Sequence, residues 1–313
     1  MIIKERETSL SLNQLEALER RLVNTHPNYT LIKERLGSEL AGRKGELALN
    51  YPLSFCTNEQ LIFYDLRLWD GTHYFQNDAL ILTREWILLI EAKYMAGTLY
   101  YDDKQLIRDD HQGFDNPIHQ VNRHKNQLQK WLHLHSFPSP SIYCLVTNSH
   151  PLCVIRSNTQ EDDIVIRTYD LPVKINKLDT LQFPTSLSTT ELQEISTALL
   201  KFHHPLSYNY LKTIDVQPSD VKTGIYCSSC SYAPLQRHHG TWYCPKCRRS
   251  DKQAHIEALK DYRLIFGDEI TNEKAKKFLR LDSSSVTKRI LQALSLEQQG
   301  KNKGRKYYLK TLI

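Results

Sequence analysis

The sequence predicts a mixed α/β protein with a central sheet, followed by a small cysteine-rich segment and a basic C-terminal module. Apolar runs of strand length alternate with helical patterns over the first 205 residues or so, which is typical of this fold class. Four of the seven cysteines form two Cys-x-x-Cys pairs. Residues 221–313 contain 19 basic and 8 acidic residues, whereas the first 220 contain 22 and 27. We therefore expect a C-terminal part that faces a polyanion, with a solvated lysine-rich surface as the alternative.

Changes in composition along the 313 residues predict five segments. They are an N-terminal helical extension (1–37), an α/β domain (38–205), a linker (206–222), a cysteine-rich module (223–250) and a basic module (251–313). The linker is predicted because its residues show few periodic cues. The chain has no run of 18 apolar residues, and its start has no apolar signal-peptide region. These absences predict a cytoplasmic protein without membrane contact.

Helices are predicted where apolar residues recur at helical spacing or where a capping residue opens a periodic stretch. The predicted helices cover 10–25, about 38–51, 117–133 and 189–203. Proline suits the first helical position that Pro117 would take.

Strands are predicted from short apolar runs rich in branched residues. The predicted strands cover 61–68, 77–83, 86–95, 141–148 and 163–170. The run over 97–103 is expected to extend the same sheet. Two of the runs, 77–83 and 86–95, are nearly continuously apolar, as expected of strands buried on both faces.

Glu91 and Lys93 are the exceptions in an otherwise apolar strand, and they share one of its faces because they are two residues apart. If Arg84 and Glu85 form a two-residue hairpin loop, Asp78 lies directly opposite Glu91. A bulge at the turn would shift this register by one residue. Two opposed carboxylates repel unless a cation lies between them, and oxygen ligands favour Mg²⁺ or Mn²⁺. The alternative is a salt bridge between Glu91 and a neighbouring lysine at a strand end.

Four segments in this order resemble the nuclease-related domain, NERD, of the PD-(D/E)xK or restriction-endonuclease-like superfamily. The segments are AGRKGELALNYPL, QNDALILT, WILLIEAKYMAGTLY and NPIHQVNRH. The resemblance covers about residues 38–150. It implies a restriction-endonuclease-like core with a central mixed sheet and a metal-dependent nuclease activity.

The resemblance also implies a role for five residues. Asp78 and Glu91 would bind the metal, and Lys93 would position the attacking water or the phosphate. Glu46 would add an acidic group from the first helix, and Gln120 would lie near the same site. Taken alone, Glu46 is a solvated helix carboxylate and Gln120 a polar residue in the first turn of its helix.

One position departs from the family pattern, which usually has glycine where this chain has Trp86. Tryptophan does not readily adopt positive φ, so the turn before the third strand is expected to differ. The histidines of the following helix, among them His124, are expected on exposed helix faces.

Cys227, Cys230, Cys244 and Cys247 have the spacing of a tetrahedral four-cysteine zinc site. The segments IYCSSCSYAPL and GTWYCPKC resemble a zinc ribbon. Four ligands close the coordination shell, so this zinc would be structural. Free or redox-active thiols are the alternative, and His238 and His239 are the alternative ligands.

Two short helices, about 271–279 and 284–294, with a short break between them suggest a helix-turn-helix. The basic stretch 301–306 and the tyrosines after it resemble a hairpin wing, so that the module resembles a small winged helix. Ser285 and Thr287 lie near the start of the second helix. The nucleic-acid contacts are predicted at Lys288, Arg289, Lys301, Lys303, Arg305 and Lys306. The alternative is a helical cap with a solvated basic tail.

Together these features predict a nuclease that uses Mg²⁺ or Mn²⁺ to hydrolyse phosphodiester bonds in DNA, with a structural Zn²⁺ and C-terminal modules that bind the nucleic acid. The first alternative is a non-catalytic nucleic-acid-binding factor built on a nuclease-like scaffold. The second is a structural or partner-binding role for the basic tail.

Overall fold

The structure is a computed structural model that describes residues 1–7, 9–101, 105–157, 164–206 and 210–312, apart from the side chains of Ser157 and Lys303. The helices are α1 Leu10–Arg21, α2 Tyr29–Leu47, α3 Asn50–Leu53, α4 Pro117–Leu134, α5 Leu171–Asp179, α6 Thr189–Lys201, α7 Tyr210–Thr213, α8 Ala254–Phe266, α9 Asn272–Leu279 and α10 Ser284–Ala293. The strands are β1 Ile2–Lys4, β2 Leu61–Trp69, β3 Tyr74–Leu82, β4 Trp86–Lys93, β5 Gly97–Tyr101, β6 Leu106–Arg108, β7 Gly113–Phe114, β8 Ser141–Asn148, β9 Cys153–Ser157, β10 Val165–Arg167, β11 Gln236–His238, β12 Thr241–Tyr243, β13 Ser250–Asp251, β14 Glu269–Thr271, β15 Glu297–Gln299 and β16 Lys306–Tyr308. Within the described ranges, no helix has the length and apolar character needed to cross a membrane.

The chain divides into two compact units. Unit 1 comprises Met1–Glu7 and Ser38–Leu206, and unit 2 comprises Thr8–Gly37 and Ser207–Ile313. This division differs from the predicted segments, because the first 37 residues are shared between the units. The predicted linker contains α7, and its apolar side chains enter the core of unit 2.

Unit 1 is a mixed α/β structure around a six-stranded sheet with the order β1-β2-β3-β4-β8-β10. The antiparallel meander β2-β3-β4 is continued by β8 and β10 in parallel, and β1 pairs in parallel with β2. Apolar residues of α4 and α6 cover one face of the sheet, and residues of α3 and α5 cover the other. Burial on both faces explains why β3 and β4 are nearly continuous apolar runs.

Several predicted boundaries differ from the structure. The run over 97–103 does not extend the central sheet, because β5 lies in a separate sheet with the order β7-β6-β5-β9, and 102–103 lie outside the described residues. The helix predicted over 38–51 begins at Tyr29 and ends at Leu47. Of the strand predicted over 163–170, residue 163 lies outside the described residues, the strand covers Val165–Arg167, and a 3₁₀ turn follows it.

Unit 2 contains two small antiparallel sheets, β11-β12-β13 and β14-β16-β15. Helices α9 and α10 begin as predicted, since Thr271 accepts a hydrogen bond from the Lys274 amide and Ser283 from that of Val286. Such side-chain caps satisfy amide groups that a helix leaves unpaired. Along the chain, helix α8 and strand β14 precede α9 and α10, and strands β15 and β16 follow them.

Candidate active site

The turn between β3 and β4 has the predicted two-residue loop and accommodates Trp86 without positive φ. The Thr83 hydroxyl accepts a hydrogen bond from the Trp86 amide and donates one to the Trp86 carbonyl, both at 2.9 Å. The backbone of Trp86 has no left-handed conformation, and its side chain is 1% exposed. Thr83 therefore fixes this turn with its side chain, and no glycine is needed.

The predicted register between β3 and β4 is confirmed by the pairs from Leu82–Ile87 to Ala79–Ile90. Continued by one residue, it sets Asp78 opposite Glu91. The backbone ladder stops there, and the Asp78 carboxylate accepts a hydrogen bond of 2.7 Å from the Ala92 amide. A side chain thus replaces a backbone acceptor at the point where the two acidic residues meet.

Asp65 is a third carboxylate at this level of the sheet, and the sequence analysis missed it. The register between β2 and β3 places it opposite Asp78, and its φ of 51° interrupts the strand. The side chains of β2 that face α4 have odd numbers before Asp65, as Phe63 does, and even numbers after it, as Leu66 does. The irregular residue therefore inverts the side-chain alternation of β2. An acidic residue within a predicted strand was the available signal.

Asp65, Asp78 and Glu91 together form what we call the acidic cluster. The pKa values of Asp65 and Asp78 in this cluster are raised. Burial, followed by the charge of Glu91, raises the pKa of Asp78 well above its ordinary value. Burial also raises the pKa of Asp65 to about 6, although the Arg6 guanidinium acts in the opposite direction. Carboxyl groups whose pKa is raised by burial and by a neighbouring carboxylate are typical of catalytic and cation-binding positions.

Lys93 and Gln120 lie together at the carboxyl end of β4. The Lys93 ammonium donates to the Glu91 carboxylate at 2.7 Å and to the Gln120 side-chain oxygen at 3.3 Å. Gln120 is in the first turn of α4, whose N-cap Asn116 accepts a hydrogen bond from the Ile118 amide. The structure thus brings together three residues that are separated by up to 29 positions in the chain.

The expectation that His124 lies on an exposed helix face is wrong. His124 lies one turn after Gln120 on α4 and is 7% exposed. Burial lowers its pKa to about 4, so the imidazole is neutral at pH 7. Its Nδ1 atom has no hydrogen-bond partner within the described part of the chain.

Glu46 reaches the cluster because α2 approaches β4 closely. A Cβ atom at Gly45 would lie 3.2 Å from the carbonyl carbon of Lys93, so glycine permits this approach. The Glu46 carboxylate lies 3.3 Å from the guanidinium groups of both Arg6 and Arg43. In this structure Glu46 therefore contacts cations on the Asp65 side of the cluster.

Arg6 is the second residue that the sequence analysis missed. Its side chain is 4% exposed and donates to Asp65 at 2.5 Å, to Glu46 at 3.3 Å and to the Asp78 carbonyl at 3.1 Å. Its guanidinium also lies 4.5 Å from the centre of the Tyr64 ring. No motif surrounds Arg6 in the sequence, and only the pairing of β1 with β2 brings it to this position.

The donor set suits a hard divalent cation held by few protein ligands. Asp78 and Glu91 supply carboxylate oxygens on adjacent strands, and the carboxylates of Asp65 and Glu46 are paired with arginine. Glu91 is itself paired with Lys93 at 2.7 Å, which is the salt bridge that the sequence offered as the alternative to a metal. Magnesium is commonly held by one or two carboxylates together with water and substrate phosphates. Burial and then the charge of Glu91 raise the pKa of Asp78, and a cation bound between the two carboxylates would relieve the second of these effects.

The four predicted zinc cysteines come together in unit 2. Their sulfur atoms all lie within 4.8 Å of one another, with 3.5 Å between Cys227 and Cys247 and 3.6 Å between Cys230 and Cys244. A tetrahedral zinc site with Zn–S bonds of about 2.3 Å needs sulfurs about 3.8 Å apart. The cluster therefore fits a metal such as zinc. His238 and His239 are not part of this group.

The local sequence explains how the cysteines meet. His239 and Gly240 form the two-residue turn between β11 and β12. Their φ angles are 42° and 87°, and a type I′ hairpin turn requires positive φ at both of these positions. Cys244 follows β12 directly. Burial works against ionisation of the Cys227 thiol, yet the amides of Ser229 and Cys230 lower its pKa to about 6.

The predicted nucleic-acid contacts lie in different environments within unit 2. Lys288 and Arg289 are exposed on α10, whereas Thr287 is buried and donates to the Ser283 carbonyl. Lys301 is exposed and Arg305 is half-buried. Lys306 is exposed but forms an ion pair of 2.7 Å with Glu269. The side chain of Lys303 lies outside the described residues.

The family model of the nuclease-related domain, NERD, matches residues 41–149. The match includes Glu46, Asp78, Glu91, Lys93 and Gln120. No curated protein and no solved structure was found to match the chain. Residues 41–149 of this chain are therefore a nuclease-related domain.

Proposed function

We propose that the chain is a metal-dependent nuclease that hydrolyses phosphodiester bonds in DNA and uses its C-terminal modules to bind the nucleic acid. The observation that carries the proposal is the meeting of Asp78 and Glu91 on adjacent strands, with Lys93 bonded to Glu91 at 2.7 Å. The nuclease-related domain over 41–149 supports it.

Each of the five residues that the sequence singled out would have a role in this reaction. Asp78 and Glu91 would hold Mg²⁺ or Mn²⁺, which supplies Lewis acidity and a more acidic bound water. Lys93 would orient the attacking water or donate to a phosphate oxygen, where it stabilises developing negative charge. Gln120, at 3.3 Å from Lys93, would fix the direction of the ammonium group. Glu46 would act through Arg6, which it contacts.

The arrangement of unit 2 supports nucleic-acid binding. In the order α8-β14-α9-α10-β15-β16, the antiparallel strands β15 and β16 would form a wing that follows the helix-turn-helix of α9 and α10. Lys288 of α10 and Arg305 beside β16 line one cleft of 310 Å³ together with Asn272. We propose that this cleft takes a backbone phosphate, and that the zinc held by the cysteine cluster stabilises the adjoining ribbon.

A cleavage assay tests the activity. Full-length protein would be incubated with circular and linear, single- and double-stranded DNA in the presence of Mg²⁺, Mn²⁺ or EDTA. The variants Asp78→Asn and Lys93→Ala would be assayed in the same way. The matched control is Asp110→Asn, because Asp110 is an exposed carboxylate of unit 1 that also pairs with a cation, Arg108. We expect metal-dependent cutting that the two site variants lower at least 100-fold and the control leaves intact.

DNA binding without cutting under any metal would contradict the nuclease proposal. It would favour the non-catalytic binding factor, in which Lys93 and Arg6 neutralise the carboxylates permanently. Equal cutting by Asp78→Asn and the parent protein would show that the proposed site is wrong.

A further inference from the structure

The β2–β3 hairpin ends in a pair of exposed aromatic residues that the proposed reaction does not use. Trp69 and Tyr74 are cross-strand partners with ring centres 4.7 Å apart. Their exposed fractions are 43% and 42%, whereas the next pair, Leu68 and Phe75, is buried. Contiguous exposed apolar surface of this kind is a candidate contact surface for a ligand or a partner.

Cationic and aromatic groups surround this pair. The Arg67 guanidinium lies 3.8 Å from the centre of the Tyr74 ring, and the His204 ring stacks on Tyr74 at 5.6 Å with 18° between the ring planes. Trp69 and Tyr74 line a cleft of 310 Å³ with four residues at the end of α6, namely Lys201, Phe202, His203 and His204. Among the described residues that line it there is no carboxylate.

The hairpin turn that joins Trp69 to Tyr74 is fixed to α4 through Asp70. Asp70 accepts hydrogen bonds from the amides of Thr72 and His73 at 2.7 and 2.8 Å. The same carboxylate accepts a bond of 3.0 Å from Gln127 of α4 and lies 3.5 Å from the Lys130 ammonium. A platform fixed in this way loses little conformational entropy when a ligand binds.

The two strands that carry the aromatic pair also carry Asp65 and Asp78 of the acidic cluster. Tyr74 and Asp78 are four residues apart on β3, or about 13 Å along the strand. This is about the length of four stacked nucleotides in one strand of DNA. Leu68 and Phe75 belong to the core on the α4 face, so the next pair, Trp69 and Tyr74, lies on the opposite face of the sheet. A nucleic-acid strand that runs to this pair from a phosphate beside Lys93 and Gln120, on the α4 face, would therefore pass the sheet edge and span more than about four nucleotides.

We propose that Trp69 and Tyr74 form a stacking platform for a nucleobase of an unpaired strand. Only the path from this platform to the cleaved phosphate depends on the proposed nuclease function; base stacking on the platform does not. Aromatic faces accept any base by stacking, and a cationic rim follows the phosphates, so the combination favours single-stranded nucleic acid over a neutral ligand. In paired DNA the bases are stacked on each other and cannot lie flat on Trp69.

Tryptophan fluorescence tests the platform directly, because Trp69 alone among the four tryptophans is exposed and the other three are at most 1% exposed. The full chain with Asp78→Asn would be titrated with the single-stranded octamer (dT)₈ and with an eight-base-pair duplex. We expect (dT)₈ to quench the emission and the duplex to quench it much less. Trp69→Ala should abolish the quenching.

Tyr74→Ala keeps the fluorescent residue and should raise the dissociation constant of (dT)₈ about tenfold. The matched control is Tyr100→Ala, which removes a tyrosine of unit 1 that is 50% exposed and outside the cleft. Trp69→Phe keeps an aromatic face and should bind (dT)₈ more tightly than Trp69→Ala when binding is followed by the anisotropy of labelled oligonucleotide.

These binding measurements test the platform independently of any cleavage activity. Absence of quenching, equal quenching by duplex, or equal affinity in Tyr74→Ala and Tyr100→Ala would overturn the platform, even if the wild type cuts DNA. Quenching by (dT)₈ that exceeds quenching by the duplex, together with weaker binding in Tyr74→Ala than in Tyr100→Ala, would establish the platform, even if the wild type cuts none of the substrates.

Discussion

Arg6 donates a hydrogen bond of 2.5 Å to Asp65, and this bond joins the first seven residues of the chain to the acidic cluster. The guanidinium also contacts Glu46 and the Asp78 carbonyl. A cation from outside the matched family region thus sets the charge balance of the candidate active site.

Arg6→Ala should lower the free energy of unfolding by about 3 kcal/mol, because it leaves the partly buried carboxylates of Asp65 and Glu46 with Arg43 alone, at 3.8 and 3.3 Å. Urea unfolding of the full chain measures the change. Arg123→Ala, on the exposed side of α4, is the control and should change the value by less than about 0.5 kcal/mol. Similar values for the two variants would show that the Arg6 contacts contribute little.

Asp65 should make unit 1 less stable as the pH rises from about 4 to about 6. Its pKa is raised in the folded chain to about 6, so the folded state binds the proton more tightly than the unfolded state does. This contribution to stability is present at low pH and is lost as the carboxyl ionises in the folded state. Relative to Asp65→Asn, the wild type should lose on the order of 2 kcal/mol between pH 4.5 and 7.5 in urea titrations. A constant difference between the two proteins would contradict the raised pKa.

Gly45 and Gly42 lie one turn apart on α2 and should respond oppositely to alanine. A Cβ at Gly45 would meet the Lys93 backbone at 3.2 Å, so Gly45→Ala should lower the free energy of unfolding by about 1 kcal/mol. Gly42 has open space around it, and Gly42→Ala should raise that free energy by about 0.5 kcal/mol, since alanine favours helix. Thermal unfolding of the two variants is the measurement, and equal shifts would count against the close approach of α2 to β4.

Metal analysis of the purified chain should find one zinc ion, held by the cysteine cluster. Cys244→Ser should lose the zinc and unfold the ribbon, because metal binding supplies much of the folding free energy of such small sites. Cys56→Ser is the control and should keep the zinc, since Cys56 lies in unit 1. Retention of zinc by Cys244→Ser would place the metal elsewhere.

Lys288 and Lys306 should differ in their contribution to DNA binding. Removing one cation that neutralises a phosphate lowers the slope of log affinity against log salt by about 0.9 for duplex DNA. Lys288→Ala should show this decrease in anisotropy titrations from low to high KCl. Lys306→Ala should show much less of it, because Glu269 already neutralises that ammonium at 2.7 Å. Equal slopes in both variants would contradict a phosphate contact at Lys288.

The sequence by itself determined what depends on local periodicity and on the spacing of a few residue types. The apolar runs of β3 and β4 and the two residues between them sufficed to set Asp78 opposite Glu91. The spacing of the four cysteines sufficed to predict their cluster, because each Cys-x-x-Cys pair closes within one short turn.

Tertiary structure decided what depends on contacts between distant segments. Arg6 reaches Asp65 only because β1 pairs with β2, and no local pattern records that pairing. His124 is buried because the face of α4 that carries it packs on the sheet, whereas helical periodicity alone does not say which polar residue shares the buried face. Trp69 and Tyr74 became a candidate binding platform only when the hairpin was closed and the end of α6 lay beside it. Strand pairing and packing bring together residues far apart in the chain, and the free energy of those contacts is absent from any short stretch of sequence.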